Sequence, residues 1–133
     1  MFNCQINKQS YSIYILIIFT LEKVHEYMVK SHPNGFLAVK LEDCFEHYQV
    51  NEILSGNNQI YCNNCNQVGN ASNGNKLSTI PEIMTIVLNR GNGIEFDVNF
   101  EYPLKINIDK YVFDKDCKNN DYELICVLNT YRS

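Results

Sequence analysis

Hydrophobic positions along this chain change period several times. Tyr11-Ser-Ile-Tyr-Ile-Leu-Ile-Ile-Phe-Thr-Leu21 is a dense run of tyrosine and β-branched residues and reads as a buried strand or bent strand pair. Residues 22–35 read as a surface connection closed by the turn signal Pro33-Asn34-Gly35. Leu41, Cys44, Phe45 and Tyr48 then fall at i, i+3, i+4 and i+7, which puts them on one face of a helix over Leu41–Tyr48. Glu42 and Asp43 sit in its first turn, where negative charge suits the helix dipole. Val50, Ile53 and Leu54 suggest a second short helical turn, ended by Ser55-Gly56.

The segment Asn57–Lys76 is loop-rich. Ile83-Met-Thr-Ile-Val-Leu88 is almost continuously apolar, as expected of a central strand covered on both faces. Asn89-Arg-Gly-Asn-Gly93 is a hairpin-type turn. Beyond it Ile94, Phe96, Val98 and Phe100 alternate with polar residues, as do Leu104, Ile106 and Ile108, and a last strand is expected over Tyr122–Leu128. The pattern predicts an α+β fold in which the strands Ile83–Leu88, Ile94–Phe100, Leu104–Ile108 and Tyr122–Leu128 form a sheet, with Leu41–Tyr48 across one face. Neither an internal repeat nor an interdomain linker interrupts it, so residues 1–133 read as one unit.

Bulk composition adds limits. The 133 residues are 45 % apolar and 20 % charged with a net charge of −4, ordinary for one globular domain. The chain lacks the clustered Lys and Arg that a nucleic-acid backbone requires. Tyr11–Leu21 is shorter than a membrane span, and Glu22, Lys23 and His25 follow it where a cleavage site would need small residues. No nucleic-acid or membrane partner is therefore expected. The 19 asparagines cluster in turns and carry no functional weight.

Of the six cysteines, Cys44 and Cys126 lie in apolar segments, where a free thiol behaves as a small hydrophobe. That favours a reducing intracellular setting, cytoplasmic or nuclear, over three disulfides. Cys62-Asn-Asn-Cys65 has the spacing of a zinc knuckle. A ribbon needs a second pair, and only Cys4 is available near the N-terminus, with Asn7 three residues on; Cys117 lies far downstream. Three readings stay open: two surface cysteines left from a lost site, an incomplete zinc site of Cys62, Cys65 and Cys4, or a redox pair. Zinc is the only cofactor suggested.

The surroundings of this pair resemble the catalytic domain of ubiquitin-specific proteases. Leu41-Glu-Asp-Cys-Phe45, Glu52-Ile-Leu54, Tyr61-Cys-Asn-Asn-Cys65, Ile80-Pro-Glu-Ile-Met-Thr-Ile-Val-Leu-Asn-Arg90, Val98-Asn-Phe-Glu-Tyr-Pro-Leu104 and Tyr122-Glu-Leu-Ile-Cys-Val-Leu128 follow the family's order. The resemblance spans roughly residues 3 to 128. It implies the antiparallel palm-and-fingers portion of a papain-like domain, with one or two short helices. It also implies the family reaction, in which a thiolate attacks the isopeptide carbonyl, a histidine serves as base and then acid, and an Asp or Asn orients the histidine.

The sequence departs from the family at both ends. The family's cysteine box, asparagine-x-x-cysteine, should precede residue 1, and its glycine-histidine-tyrosine segment should follow the last strand. Thr130 stands where the family usually has a histidine, Gly91 follows Arg90 where it has an aromatic residue, and His25, His32 and His47 match no catalytic position. The resemblance thus implies no catalytic residue within this chain and leaves the ubiquitin-contacting residues unassigned. A catalytically inert fragment of a deubiquitinase is the leading expectation, whether it is a partial gene product, one half of a split enzyme or a pseudoenzyme. Its partners would be ubiquitin, a ubiquitinated protein, or the remainder of a protease domain. A non-catalytic ubiquitin-binding module and a small zinc-ribbon interaction protein are the alternatives.

Overall fold

The computed structural model describes residues 4, 7–14, 16–91, 97–114 and 120–129. Cys117, Thr130 and the Ile94–Phe96 part of the expected strand lie outside them. The architecture is α+β, with two helices among short paired strands. Strand β1, Ile17–Thr20, runs directly into helix α1, Leu21–Ser31. Val39–Lys40, β2, leads in the same way into helix α2, Leu41–Tyr48. Glu52–Leu54, Ile60–Cys62, Gln67–Gly69 and Ala71–Asn73 are β3 to β6. Ile86–Asn89, Phe100–Glu101, Lys105–Asn107 and Asp121–Glu123 are β7 to β10.

Helix α2 occupies the residues its periodicity predicts. The backbone N–H of Lys40 donates to Asp43 Oδ2 at 2.7 Å, so the third-position carboxylate closes the helix start. Leu41, Cys44 and Phe45 are buried on the core face. Helix α1 replaces the surface connection expected over residues 22–35. Leu21, Val24 and Met28 form its buried stripe at i, i+3 and i+7. Glu22 in the first turn and Lys30 in the last complement the dipole. The expected buried strand over 11–21 shrinks to Ile17–Thr20, where β7 lies alongside as a partner; Tyr11, Ile13 and Tyr14 before it are exposed.

The described strands form five separate pairs, not one sheet. β1 and β7 are parallel with Phe19 opposite Leu88, and β2 and β8 are parallel with Val39 opposite Phe100. β9–β10, β3–β6 and β4–β5 are antiparallel. The helical turn expected at Val50–Leu54 is instead β3, because Ile53 pairs with Ser72 from a distant segment, a contact local periodicity does not register. Ile83–Leu88 is not covered on both faces. Only its second half is strand, burial alternates along it, and Ile83 is 71 % exposed. Tyr122–Leu128 likewise pairs only through Glu123, followed by one Leu124 N–H to Leu104 carbonyl bond; Ile125 and Leu128 are exposed.

The core gathers between the helices and the 108–112 segment. Phe19 meets Phe45 edge-on at 5.2 Å between ring centroids, and Phe45 stacks on Tyr111 at 5.1 Å. Around this column lie Leu21, Val24, Val39, Cys44, Ile108 and Val112, all buried. Tyr111 is anchored by its hydroxyl, which donates to the Glu42 carbonyl at 3.2 Å. The ion pair from Lys110 to Glu46 of α2, 2.9 Å long, is solvent-exposed, so it adds little.

Phe45→Ala should cost about 3–5 kcal/mol, the usual penalty for emptying a large aromatic site, measured by urea denaturation. Leu37→Ala, at a fully solvated side chain, should stay within about 0.5 kcal/mol. His47 supplies a pH signature. Its pKa is lowered, first by burial and then by Lys23. The folded chain therefore holds His47 neutral where the unfolded chain binds a proton, and its contribution, present above the unfolded value, is lost as pH falls through and below the ordinary histidine range. His47→Gln should flatten the fall in urea midpoint between neutral and mildly acidic pH; an unchanged slope would contradict this assignment.

Candidate metal centre

Three of the described thiols come together on the β4–β5 ribbon. Cys62 ends β4 and pairs with Gln67 of β5, so the Cys-Asn-Asn-Cys segment becomes the turn of a tight hairpin. Asn66 closes that turn at φ 53°, a left-handed conformation that asparagine tolerates better than most residues. Its Oδ1 accepts from the Tyr61 hydroxyl at 3.2 Å, which ties the turn to the strand. Such a turn points both thiols to one side, and Cys4 arrives from 58 positions away with its Sγ 3.7 Å from Cys62 Sγ.

The geometry suits a tetrahedral ion. Cys4, Cys62 and Cys65 have their Sγ atoms within 4.8 Å of one another. A zinc–sulfur distance of ~2.3 Å at the tetrahedral angle places two sulfurs about 3.8 Å apart, which the Cys4–Cys62 separation matches. The backbone N–H groups of Cys65 and then Asn64, with help from the other thiols, hold the Cys62 thiol down to about 7. Cys65 is pushed up, first by its hydrogen bond to Cys62 and then by burial. One member of the pair is thus prepared as a thiolate, the form that binds metal. The cluster could hold a metal ion.

The knuckle spacing made Cys62 and Cys65 legible in the sequence, and Cys4 joins them as one of the three readings required. Asn64 and Asn66 went unnoticed among so many asparagines. Asn64 Nδ2 donates to Cys4 Sγ at 3.7 Å and links the N-terminal segment to the turn. A residue of compatible left-handed tendency within a Cys-x-x-Cys hairpin was the available signal. Cys44 is buried and its thiol is pushed up to about 12, by burial first and then by Asp43 and Glu42. It is core, as its place on the helix face suggested. Cys126, expected in a buried strand, is exposed because that strand ends early. His25 and His32 lie edge-on to Phe36 at 5.2 and 6.5 Å, and His47 packs against Tyr27 at 5.7 Å.

The family model for ubiquitin carboxyl-terminal hydrolase matches residues 15–131. The chain belongs to the ubiquitin carboxyl-terminal hydrolase family. The match begins just before β1 and runs past β10, so it embraces both helices, the ribbons and Cys62-Asn-Asn-Cys65, while Cys4 lies ahead of it. Ubiquitin carboxyl-terminal hydrolase 4 of Mus musculus is 28 % identical over 100 residues, covering 71 % of this chain and 10 % of that protein. A protein of Schizosaccharomyces pombe named "Probable ubiquitin carboxyl-terminal hydrolase 16" is 33 % identical over 93 residues, 66 % of this chain and 20 % of its own. Ubiquitin carboxyl-terminal hydrolase 16 of Arabidopsis thaliana is 28 % identical over 91 residues, 66 % of this chain and 9 % of its own. The chain spans only 9 to 20 % of the length of these relatives. No described helix is long and apolar enough to cross a membrane.

Substitution at Asn66 probes the turn that aims the thiols. Asn66→Val should destabilise the ribbon by about 1–2 kcal/mol because a β-branched residue resists the left-handed region, whereas Asn66→Gly should be close to neutral. Hydrogen exchange at Tyr61, Val68 and Gly69 would read the difference.

Proposed function

We propose that residues 1–133 supply the fingers-and-palm portion of a deubiquitinating cysteine protease, contact ubiquitin or a ubiquitinated protein, and do not hydrolyse isopeptide bonds by themselves. Family membership across 15–131 carries the first part of this reading. The placement of the thiols supports the last. Among the described cysteines Cys44 is buried with a thiol far from ionised at neutral pH, Cys4, Cys62 and Cys65 occupy one knuckle, and Cys126 is exposed beyond the end of β10. A nucleophile of this chemistry needs an accessible thiolate aligned with an imidazole. Zinc is the ion we assign to the knuckle, in a structural role, with Cys4, Cys62 and Cys65 as its protein ligands. Thiolate ligation of zinc needs reduced cysteines, which supports a reducing compartment, cytoplasmic or nuclear.

A fluorogenic ubiquitin conjugate should show no turnover above buffer with the purified chain, and clear thiol-dependent turnover would end the inert reading. Isotope-labelled ubiquitin titrated with the chain should show saturable shifts; their absence at millimolar protein would remove ubiquitin contact. The knuckle favours one further reading, a small zinc-ribbon interaction protein. The two separate on chelation. A ribbon protein unfolds wholly without its metal, whereas here the Phe19–Phe45–Tyr111 core should persist and only the β4–β5 ribbon should lose protection.

A further inference from the structure

We infer that the metal at the knuckle keeps one coordination position for an exchangeable donor from outside the chain, so that a single imidazole can bind the ion directly. The inference rests on the metal reading above and deepens it. Tetrahedral structural zinc is closed by four protein ligands, while a site with three leaves the fourth to water or an incoming ligand. Among the described residues the cluster offers three sulfurs and no fourth His, Cys, Asp or Glu atom.

The polar groups seen in contact with the sulfurs act as donors to them. The backbone N–H groups of Asn64 and Cys65 serve Cys62, and that of Gln67 serves Cys65. The Asn64 side-chain amide presents Nδ2 to Cys4. All of these are donors directed at sulfur, and none brings a lone pair to an ion. Asn7, at the position a second cysteine of the N-terminal pair would hold, is exposed. The site also faces water. Cys4 is exposed, Cys62 and Cys65 are half-buried, and Asn63, Asn64, Asn66 and Gln67 around them are exposed. Three thiolates on one divalent ion carry a net charge of −1. A neutral nitrogen donor adds to that centre without adding to its charge, which favours imidazole over an anion. The class of ligand is therefore a neutral nitrogen donor, of which imidazole is the probe.

Cobalt(II) substitution tests this on the whole 133-residue chain, reduced with a phosphine and kept anaerobic. One equivalent of cobalt should give thiolate-to-metal charge transfer and visible ligand-field bands, and Cys65→Ser should weaken the charge transfer by about a third or more. Imidazole should then shift the visible bands and saturate at one per cobalt, with the response retained in Cys117→Ser and Asn64→Ala. Bands that form normally but ignore imidazole overturn the open position while leaving the metal reading intact. A response seen only in Cys117→Ser or only in Asn64→Ala also overturns it and names that residue as the fourth ligand. Failure to take up any cobalt or zinc sinks the metal reading itself, and the inference with it.

Discussion

Phe45 is held between Phe19 and Tyr111, and the rest of the described fold is arranged around that contact. Each of the three rings belongs to a different element: β1, helix α2 and the short turn at Asp109–Tyr111. Edge-to-face and offset-stacked rings gain from their quadrupoles as well as from burial. The contact therefore fixes three segments that are far apart in sequence. The Tyr111 hydroxyl to the Glu42 carbonyl then sets where α2 lies along the column. Leu21, Val24 and Met28 bring α1 onto the same cluster.

The ribbon that carries the thiols is organised differently. Ile53, Ile60, Tyr61 and Val68 are all exposed, so the β3–β6 and β4–β5 pairs gain little from burial. Isolated two-stranded pairs are marginal in water. Here turn chemistry and local hydrogen bonds stand in for a core: the left-handed Asn66, Tyr61 to Asn66, and Gln59 to Asn70. A bound ion would cross-link the turn to the N-terminal segment, adding a tie where apolar packing is weakest.

Several segments that flank the strands present apolar side chains to solvent. Ile83, Leu104, Ile125 and Leu128 are exposed at 71, 74, 82 and 90 % respectively. At these positions apolar runs that read as fully covered strands are only half covered in the molecule.

What the sequence by itself determined is local. The α2 periodicity, the Asp43 closure, the Cys62–Cys65 knuckle and the ordered family motifs all depend on residues close together, where spacing specifies geometry directly. Helix α1 was legible in the Leu21, Val24, Met28 stripe, yet the dense apolar run before it hid the point where period 2 gives way to 3.6. Tertiary structure decided the rest. It determined that β3 is strand and not helix, since Ile53 found Ser72, and that the expected sheet is five separate pairs. It also brought the Cys4 Sγ to 3.7 Å from that of Cys62, 58 positions away. Those outcomes depend on which distant segments meet. Periodicity reports which side of an element is apolar, not which partner that side will find.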